Sequence, residues 1–365
     1  QIRYQLYYRL RKKLRTLTGY KYPLSITKEG YPIKLIPSIP RYTSFHNYTF
    51  TFLNQTTTFQ KNGIDWNYSK YSKLWTYNLN YFDFLLQPRM DPKICLELIE
   101  DYISKLNKNS TGLEPYPTSL RGINWIKFIS YLSSSQPPIY SNSQIHTLSS
   151  SLYAQYKILL DNLEYHLLGN HILENGFSLL FGAFYFKDEE LYKKAYEIIT
   201  EQLQKQILDD GGHFELSPMY HQIILDRLLD CINLLQNNQI FVDQDQLLNL
   251  KTEKAVKMLA WLNRMTLSND QIPLLNDSAP DIAPRTKQIN DYASRLNLIC
   301  TNSFHSWSLS ESGYRRRNGS NYECIIDIGP IGPSYQPGHA HADTFNFVLN
   351  TYNNPFIIDT GISTY

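Results

Sequence analysis

The sequence has no run of about 18 apolar residues, the length that a membrane-spanning helix needs, so no membrane span is expected. Its formal net charge of +2 over 365 residues is too small to indicate a nucleic-acid partner. The four cysteines lie far apart and form no C-x-x-C pair, which argues against a cysteine zinc site. Residues 1–19 are basic but lack the apolar core and the cleavage site of a signal peptide.

Aromatic residues, by contrast, are abundant: they make up 14% of the chain and include 29 tyrosines. Aromatic rings stack on sugar rings, so this composition is compatible with a carbohydrate site, although most of these side chains are expected to pack in the core. The basic first segment predicts either an amphipathic helix that contacts a membrane or a partner, or a plain surface helix.

The hydrophobic period divides the chain into three parts. Residues 1–75 are mixed and predict one helix followed by extended segments. Residues 76–300 carry amphipathic stretches with short breaks, which predicts antiparallel helical hairpins in a bundle or a closed toroid. From residue 301 apolar residues recur at every second position, which predicts a β region. Because so short a sheet leaves open edges, we expect the chain to be the front part of a longer protein.

The stretch PGHAHADTFNFVLN places two histidines and an aspartate at alternate positions. Side chains alternate along a strand, so His339, His341 and Asp343 are expected on one face. The same face would continue through Phe345, Phe347 and Leu349. We therefore predict that the polar trio extends the core-facing side at the start of a strand, as in a cleft or a metal site. Ordinary hydrogen-bonded histidines are the alternative.

The stretch GNHILENG predicts a loop that leads into a helix. Asn170 suits the N-cap position. His171 and Glu174 lie three residues apart, so they share a face once the helix has begun. The alternative is a capping asparagine beside a surface His–Glu pair.

Tyr220 is expected in the first turn of a helix, because Ser217 suits the N-cap and Pro218 the first helical position. The helix dipole favours a phenolate there, but it contributes only about 0.3–1 kcal/mol. Lowering the pKa of a tyrosine from about 10 to about 7 needs roughly 4 kcal/mol. A second group, most simply a histidine, must contribute; otherwise Tyr220 only packs at the helix start.

Two further stretches carry weaker signals. EPYPTSLRGINWIKF brings together Arg121, Asn124 and Trp125, which suit an acidic sugar through the guanidinium and the indole ring. LLNDSAPDIAPR is a loop with Asn276, which we include among the substrate-binding candidates together with His221. Such residues are more often structural.

Taken together, these stretches resemble the bacterial heparinase II/III-like family of polysaccharide lyases. The motifs that carry the resemblance follow the family's order from about residue 75 onward: WTYNLNYFDFL, PYPTSLRGINWIKF, NHILENG, DGGHFELSPMYHQIILDRLLD, LLNDSAP, PGHAHADTFNF and DTGISTY. The resemblance implies a mainly α fold. Residues 76–300 would form an α/α toroid, residues 301–365 the start of an antiparallel β-sandwich, and residues 1–75 a mixed segment that packs on the toroid.

The family cleaves uronic-acid-containing polysaccharides by β-elimination, and the resemblance implies the corresponding roles. Asn170 and His171 would neutralise the substrate carboxylate, with Glu174 orienting or tuning them. Tyr220 would take the proton from C5 and then protonate the leaving oxygen. His339 would be the second catalytic histidine, facing Tyr220. The implied partner is an acidic polysaccharide.

The resemblance also implies a structural zinc ion held by His341 and Asp359, with the remaining ligand beyond Tyr365. Zinc requires three or four ligands, so the site is expected to be incomplete in this chain. The family acts mostly on periplasmic or extracellular glycans, which favours those locations although no signal peptide is visible.

Two other functions stay open on the sequence. A glycoside hydrolase on an α/α toroid needs two opposed carboxylates, for which Asp209, Asp210, Glu215 and Asp277 are available. A non-catalytic protein, for example one in a surface-polysaccharide pathway, would bind acidic glycan without turnover.

Overall fold

The structure, a computed structural model, describes residues 2–133, 140–298, 309–333, 338–340 and 345–359. Within these ranges the α-helices are α1 (Ile2–Thr18), α2 (Lys73–Tyr81), α3 (Pro92–Lys105), α4 (Pro115–Ser133), α5 (Asn142–Asp161), α6 (Gly169–Phe186), α7 (Glu189–Gln206), α8 (Pro218–Asn237), α9 (Gln244–Met265) and α10 (Thr286–Arg295). The strands are β1 (Phe45–His46), β2 (Thr49–Phe52), β3 (Gln55–Thr58), β4 (Tyr314–Asn318), β5 (Tyr322–Asp327), β6 (Phe347–Thr351) and β7 (Asn354–Ile357). Short 3₁₀ helices cover Asp83–Leu86 and Leu106–Lys108.

The chain forms two compact units. The first comprises Gln1–Ile36 and Pro40–Ile199, and the second comprises Pro37–Ile39 and Thr200–Tyr365. The domain boundaries that the sequence suggested near residues 75 and 300 stay predictions.

In the first unit, α4 lies at the centre and packs against α2, α5 and α6. Aromatic rings fill the space beside it: Trp66 stacks on Phe82 at 4.9 Å between ring centroids, and Trp125 meets the edge of Phe82 at 5.4 Å. Almost every residue of α4 is buried. A helix that is covered on all sides has no polar stripe, so hydrophobic periodicity did not single it out.

In the second unit, α8 packs against α9 and α10. The four strands after α10 form an antiparallel sheet in the order β4-β5-β6-β7. The end of α9 contributes to a core that it shares with this sheet, made of Trp261, Met265, Leu267, Leu275, Leu309, Tyr314, Ile325 and Val348. The predicted antiparallel β region after the helices is therefore confirmed for the described residues.

The helix limits differ from the sequence patterns around residues 162–169. The stretch HTLSSSLYAQYKILLDNLEYHLL continues in pattern to Leu168, but α5 ends at Asp161, where the Asn162 side chain donates to the Ile158 carbonyl at 2.6 Å. Leu168 and Gly169 have φ of 64° and 57°, so the backbone turns sharply there. The helix α6 then begins at Gly169, and the predicted loop GNHILENG is its first two turns.

The predicted face through residues 339–349 is wrong. Phe345 has φ of 62° and is 77% exposed, and β6 begins only at Phe347. In β6 the buried side chains belong to Val348 and Asn350, whereas Phe347 is 39% exposed. Because Phe345 has a left-handed backbone conformation, side chains do not alternate regularly across this position. The position of His339 therefore does not predict which side chains of β6 are buried. His341 and Asp343 lie outside the described residues.

Among the described helices, none is both long and apolar enough to cross a bilayer.

Candidate active site

Tyr220 lies in the first turn of α8 and is half-buried. The prediction that Ser217 is the N-cap and that Pro218 opens the helix is confirmed. The capping bond comes from a different residue, because the Met219 amide donates to the Ser278 hydroxyl at 3.1 Å. Ser278 also lies 3.2 Å from the Ser217 hydroxyl, so a loop far along the chain fixes the helix start that carries Tyr220.

The loop that leads into α8 is held in a strained conformation. Leu216 has φ of 61°, which is unfavourable for a branched side chain. Its carbonyl accepts from the Tyr314 hydroxyl at 2.6 Å and from the Asn276 amide at 3.0 Å. Strain of this kind persists where the surroundings fix it, and it is common at functional sites. Asn276, a predicted substrate-binding residue, thus serves here to position the loop.

His339 lies between two buried carboxylates. Its Nδ1 is 2.6 Å from Asp277 Oδ2, and its Nε2 is 3.3 Å from Glu215 Oε2. Burial alone would lower the pKa of His339, but the hydrogen bonds with Asp277 and Glu215 raise it to about 10. Both ring nitrogens thus face carboxylate oxygens, an arrangement that favours the imidazolium form, in which both nitrogens carry a proton.

The His339 ring lies directly beside the phenol of Tyr220. Their ring centroids are 4.0 Å apart, with the ring planes tilted by 45°. The Asp277 amide also donates to the His339 carbonyl at 3.0 Å, so one residue fixes both the backbone and the ring of this histidine. The structure therefore brings the predicted pair, Tyr220 and His339, together in the second unit and places a positive charge next to the tyrosine.

His221 follows Tyr220 but is fully buried. Its Nε2 is 3.0 Å from the Met258 carbonyl, and its Nδ1 accepts from the His213 amide at 3.3 Å. Burial lowers the pKa of His221 to about 3, so the ring is neutral. Both nitrogens are used inside the unit, which favours a packing role over the predicted contact with substrate.

Asn170 and His171 lie in the first turn of α6, in the first unit. Asn170 is buried, whereas the His171 side chain is 35% exposed and its ring lies 4.5 Å from that of Tyr116. The carboxylate next to the His171 ring belongs to Glu164, whose Oε1 is 3.1 Å from Nδ1. Glu174, the predicted orienting residue, is fully buried in the following turn.

Glu164 is a residue that the sequence did not reveal. Its second oxygen accepts from the Asn175 side-chain Nδ2 at 3.0 Å, and its backbone amide donates to the Asn175 side-chain Oδ1 at 3.0 Å. Glu164 therefore links the segment before α6 to the helix and orients His171. Glu164 lies in the irregular segment between α5 and α6, so helical spacing does not relate it to His171, and no local pattern pointed to it.

The three predicted sugar-binding residues of α4 are buried and committed to internal contacts. The Arg121 guanidinium bonds with Gln155 at 2.8 Å and with the Asn80 carbonyl at 3.0 Å, and burial lowers its pKa. Asn124 donates to the Tyr81 carbonyl at 2.8 Å, and Trp125 lies in the aromatic core. These contacts favour a structural role, and substrate binding by these residues stays a prediction.

Among the described residues, no three histidine, cysteine, aspartate or glutamate side chains cluster as metal ligands. Asp359 is buried and accepts a hydrogen bond from Asn346. His341 lies outside the described ranges. Asp359 is the one proposed zinc ligand among the described residues, and one carboxylate does not make a zinc site. The described residues therefore do not test zinc binding.

The sequence matches two parts of one family. The family described as "Heparinase II/III N-terminus" matches residues 121–301, and that described as "Heparinase II/III-like, C-terminal" matches residues 301–365. The chain belongs to the heparinase II/III-like family.

Known proteins with similar sequences and folds agree with this assignment. A heparin-sulfate lyase from Pedobacter heparinus is 24% identical over 220 residues, which cover 54% of this chain and 32% of that protein. A crystal structure of heparinase III superposes with a TM-score of 0.65 at 20% identity, covering 84% of this chain and 54% of that chain. A heparan sulfate lyase from Pedobacter heparinus superposes with a TM-score of 0.53 at 18% identity, covering 87% of this chain and 55% of that chain.

These likenesses confirm the predicted fold class, a mainly α chain with an α/α toroid followed by the beginning of an antiparallel β-sandwich. The chain spans about a third of the length of the lyase matched by sequence and about half of the length of the two solved chains.

Proposed function

We propose that this chain carries the catalytic part of a polysaccharide lyase that cleaves uronic-acid-containing glycans by β-elimination. Membership of the heparinase II/III-like family supports the reaction class. The observation that carries the proposal is the pair of Tyr220 and His339, with their rings 4.0 Å apart and the histidine held as an imidazolium.

In the proposed reaction Tyr220 acts as both base and acid. The phenolate oxygen takes the proton from C5 of the uronic acid, the bond between C4 and the leaving oxygen breaks, and a double bond forms between C4 and C5. The phenol then gives the same proton to the leaving oxygen, so the tyrosine ends as it began. In this proposal the His339 imidazolium favours the phenolate form because it lies directly beside the phenol ring, while Asp277 and Glu215 offset part of its charge. Since both its nitrogens face carboxylates, we assign it electrostatic stabilisation of Tyr220 rather than a proton transfer.

We assign Asn170 and His171 to the substrate carboxylate, following the family resemblance. The C5 proton is only weakly acidic, so its removal requires the carboxylate charge to be neutralised as negative charge develops. His171 suits this role because its ring is partly exposed and is oriented by Glu164 through Nδ1.

Three of the four carboxylates that a glycoside hydrolase could use have contacts within the chain, and the fourth, Asp209, is exposed. Asp210 accepts from the Ser312 amide at 2.8 Å and from the Glu311 amide at 3.1 Å. Glu215 and Asp277 both hold the His339 ring. Hydrolysis requires two carboxyl groups placed to act on the glycosidic bond, whereas these two lie against the histidine ring. This arrangement supports elimination over hydrolysis.

The substrate class is testable by incubating the chain with heparan sulfate, hyaluronan, alginate and bacterial capsule glycans. Elimination creates a double bond conjugated with the carboxylate, so near-ultraviolet absorbance should rise with at least one of them. Binding of these glycans with no rise in absorbance on any of them would instead indicate a non-catalytic glycan-binding protein.

Replacing Glu164 by glutamine should reduce kcat/KM by up to about 100-fold, because small misplacement of an orienting group is costly. The change keeps the side-chain shape but places an amide group where Glu164 meets His171 and Asn175. The matched control is Glu197→Gln, at a side chain that is 59% exposed in the same unit. Activity equal to that of the control would contradict the role given to Glu164, provided that the thermal midpoints agree.

We further propose that Asp359 contributes to a zinc site together with His341. Zinc would have a structural role, and no step of the reaction passes through it. Because two ligands do not complete a zinc site, zinc added to the purified chain should bind weakly, and His341→Ala should reduce the amount bound. A metal content that is unchanged in this variant would rule out the assignment of His341.

A further inference from the structure

The first helix packs on its unit with its polar side. Arg11 and Arg15 both form ion pairs with Asp161. Tyr8 stacks on His166 with 3.8 Å between ring centroids. These inward residues recur every three or four positions, so they form one side of α1.

A second side of α1, centred about 120° around the helix axis from the inward side, is apolar and exposed. Its large side chains are 54–73% exposed: Leu6, Tyr7, Leu10, Leu14 and Leu17. At 3.6 residues per turn these five positions fall within an arc of roughly 100°. A helix that packs on a globular protein ordinarily buries its apolar face and exposes its charges. The orientation of α1 is inverted, so its leucine face is available to something outside the unit.

The charge of α1 indicates what covers this face. Residues 2–18 contain six lysines and arginines and no aspartate or glutamate. Arg11 and Arg15 are paired with Asp161. Arg3, Arg9 and Lys13 are exposed on the outward half of the helix.

A second copy of α1 would meet like charge, and a soluble acidic glycan would leave the leucines in water. An anionic lipid bilayer satisfies both the leucines and the basic residues.

We propose that α1 is a membrane-surface helix that lies in the interface of an anionic lipid bilayer. Leu6, Leu10, Leu14 and Leu17 enter the boundary between headgroups and acyl chains, and the flanking basic residues contact the lipid headgroups. Tyr7 lies at the level where aromatic rings are favoured. This role brings the chain to a membrane surface, and it is independent of the proposed lyase reaction.

The test is sedimentation of the intact chain with vesicles of phosphatidylcholine mixed with phosphatidylglycerol, and with vesicles of phosphatidylcholine alone. We expect binding to the anionic vesicles, weaker binding as salt is raised, and little binding to the neutral vesicles. Leu10→Glu with Leu14→Glu should weaken binding at least tenfold, because charged side chains oppose entry into the apolar region. Arg9→Gln should weaken it about fivefold.

The matched control replaces Val242 and Ile282, which are 102% and 41% exposed in the second unit, by glutamate. This variant adds the same charge and should bind vesicles like the unchanged chain. Equal binding of the leucine variant and the control would overturn the proposal. An absence of vesicle binding would overturn it too, and a dimer that the leucine variant abolishes would then identify a second copy as the occupant.

Discussion

Tyr220→Phe is expected to lower the rate of polysaccharide cleavage by about 10²–10⁴-fold, the contribution of a positioned acid–base group. The substitution keeps the ring that packs beside His339 and removes only the oxygen that carries the proton. The Tyr220 hydroxyl would act only while the proton is transferred, so its loss should lower kcat and change glycan affinity little. The rate is measured by near-ultraviolet absorbance and the affinity by calorimetry.

Tyr322→Phe is the matched control, since Tyr322 is 48% exposed on β5 in the same unit. It should cleave like the unchanged chain. If Tyr220→Phe retained the activity of this control, Tyr220 would not be the base. If it lost affinity along with activity, its role would lie in binding instead.

His339→Gln is expected to affect both stability and rate. The substitution removes the cation between Glu215 and Asp277, which leaves two buried carboxylates near one another. Breaking a buried ion pair in this way costs about 3–5 kcal/mol of unfolding free energy. Turnover should also fall about 10²–10³-fold, because Tyr220 loses the charge that favours its phenolate form.

The stability that His339 contributes should decrease as pH rises. The pKa of His339 is raised to about 10 in the folded chain, against about 6.5 for an unperturbed histidine. A raised pKa gives stability that is fully present below pH ~6.5 and is lost as pH rises through the folded value. The difference in unfolding free energy between the unchanged chain and His339→Gln should therefore shrink steadily above pH ~6.5 and be nearly lost by pH about 10.

Urea unfolding of both proteins from neutral to alkaline pH measures this difference. His146→Gln, at an exposed position on α5, serves as the control and should show no comparable loss. A difference that vanished already between pH 6 and pH 8, the range in which an unperturbed histidine titrates, would contradict an imidazolium held by two carboxylates.

Local chemistry made part of the site predictable. Ser217 and Pro218 set the start of α8 by rules that act within one turn, so the position of Tyr220 could be derived from the sequence. The change of hydrophobic period near residue 300 likewise predicted the passage from helices to sheet. The order of the family's motifs then linked Tyr220 with His339, which are distant in sequence.

The residues that support the site were not predictable in the same way. Glu164 and Ser278 act through contacts made by irregular segments, where no spacing rule applies. A single left-handed residue, Phe345, invalidated the face assigned to His339. Arg121 and Trp125 have side chains suited to binding an acidic sugar, and only the burial of α4 on all sides distinguishes them from surface residues of the same type.

The most direct test of the central claim incubates the chain with heparan sulfate, hyaluronan, alginate and bacterial capsule glycans in turn, and compares the double bonds formed with the reducing ends released. β-Elimination produces one conjugated double bond for each bond cleaved, so near-ultraviolet absorbance and reducing ends should rise in equal amounts. Reducing ends that appear without absorbance would mean hydrolysis and would contradict the proposed role of Tyr220.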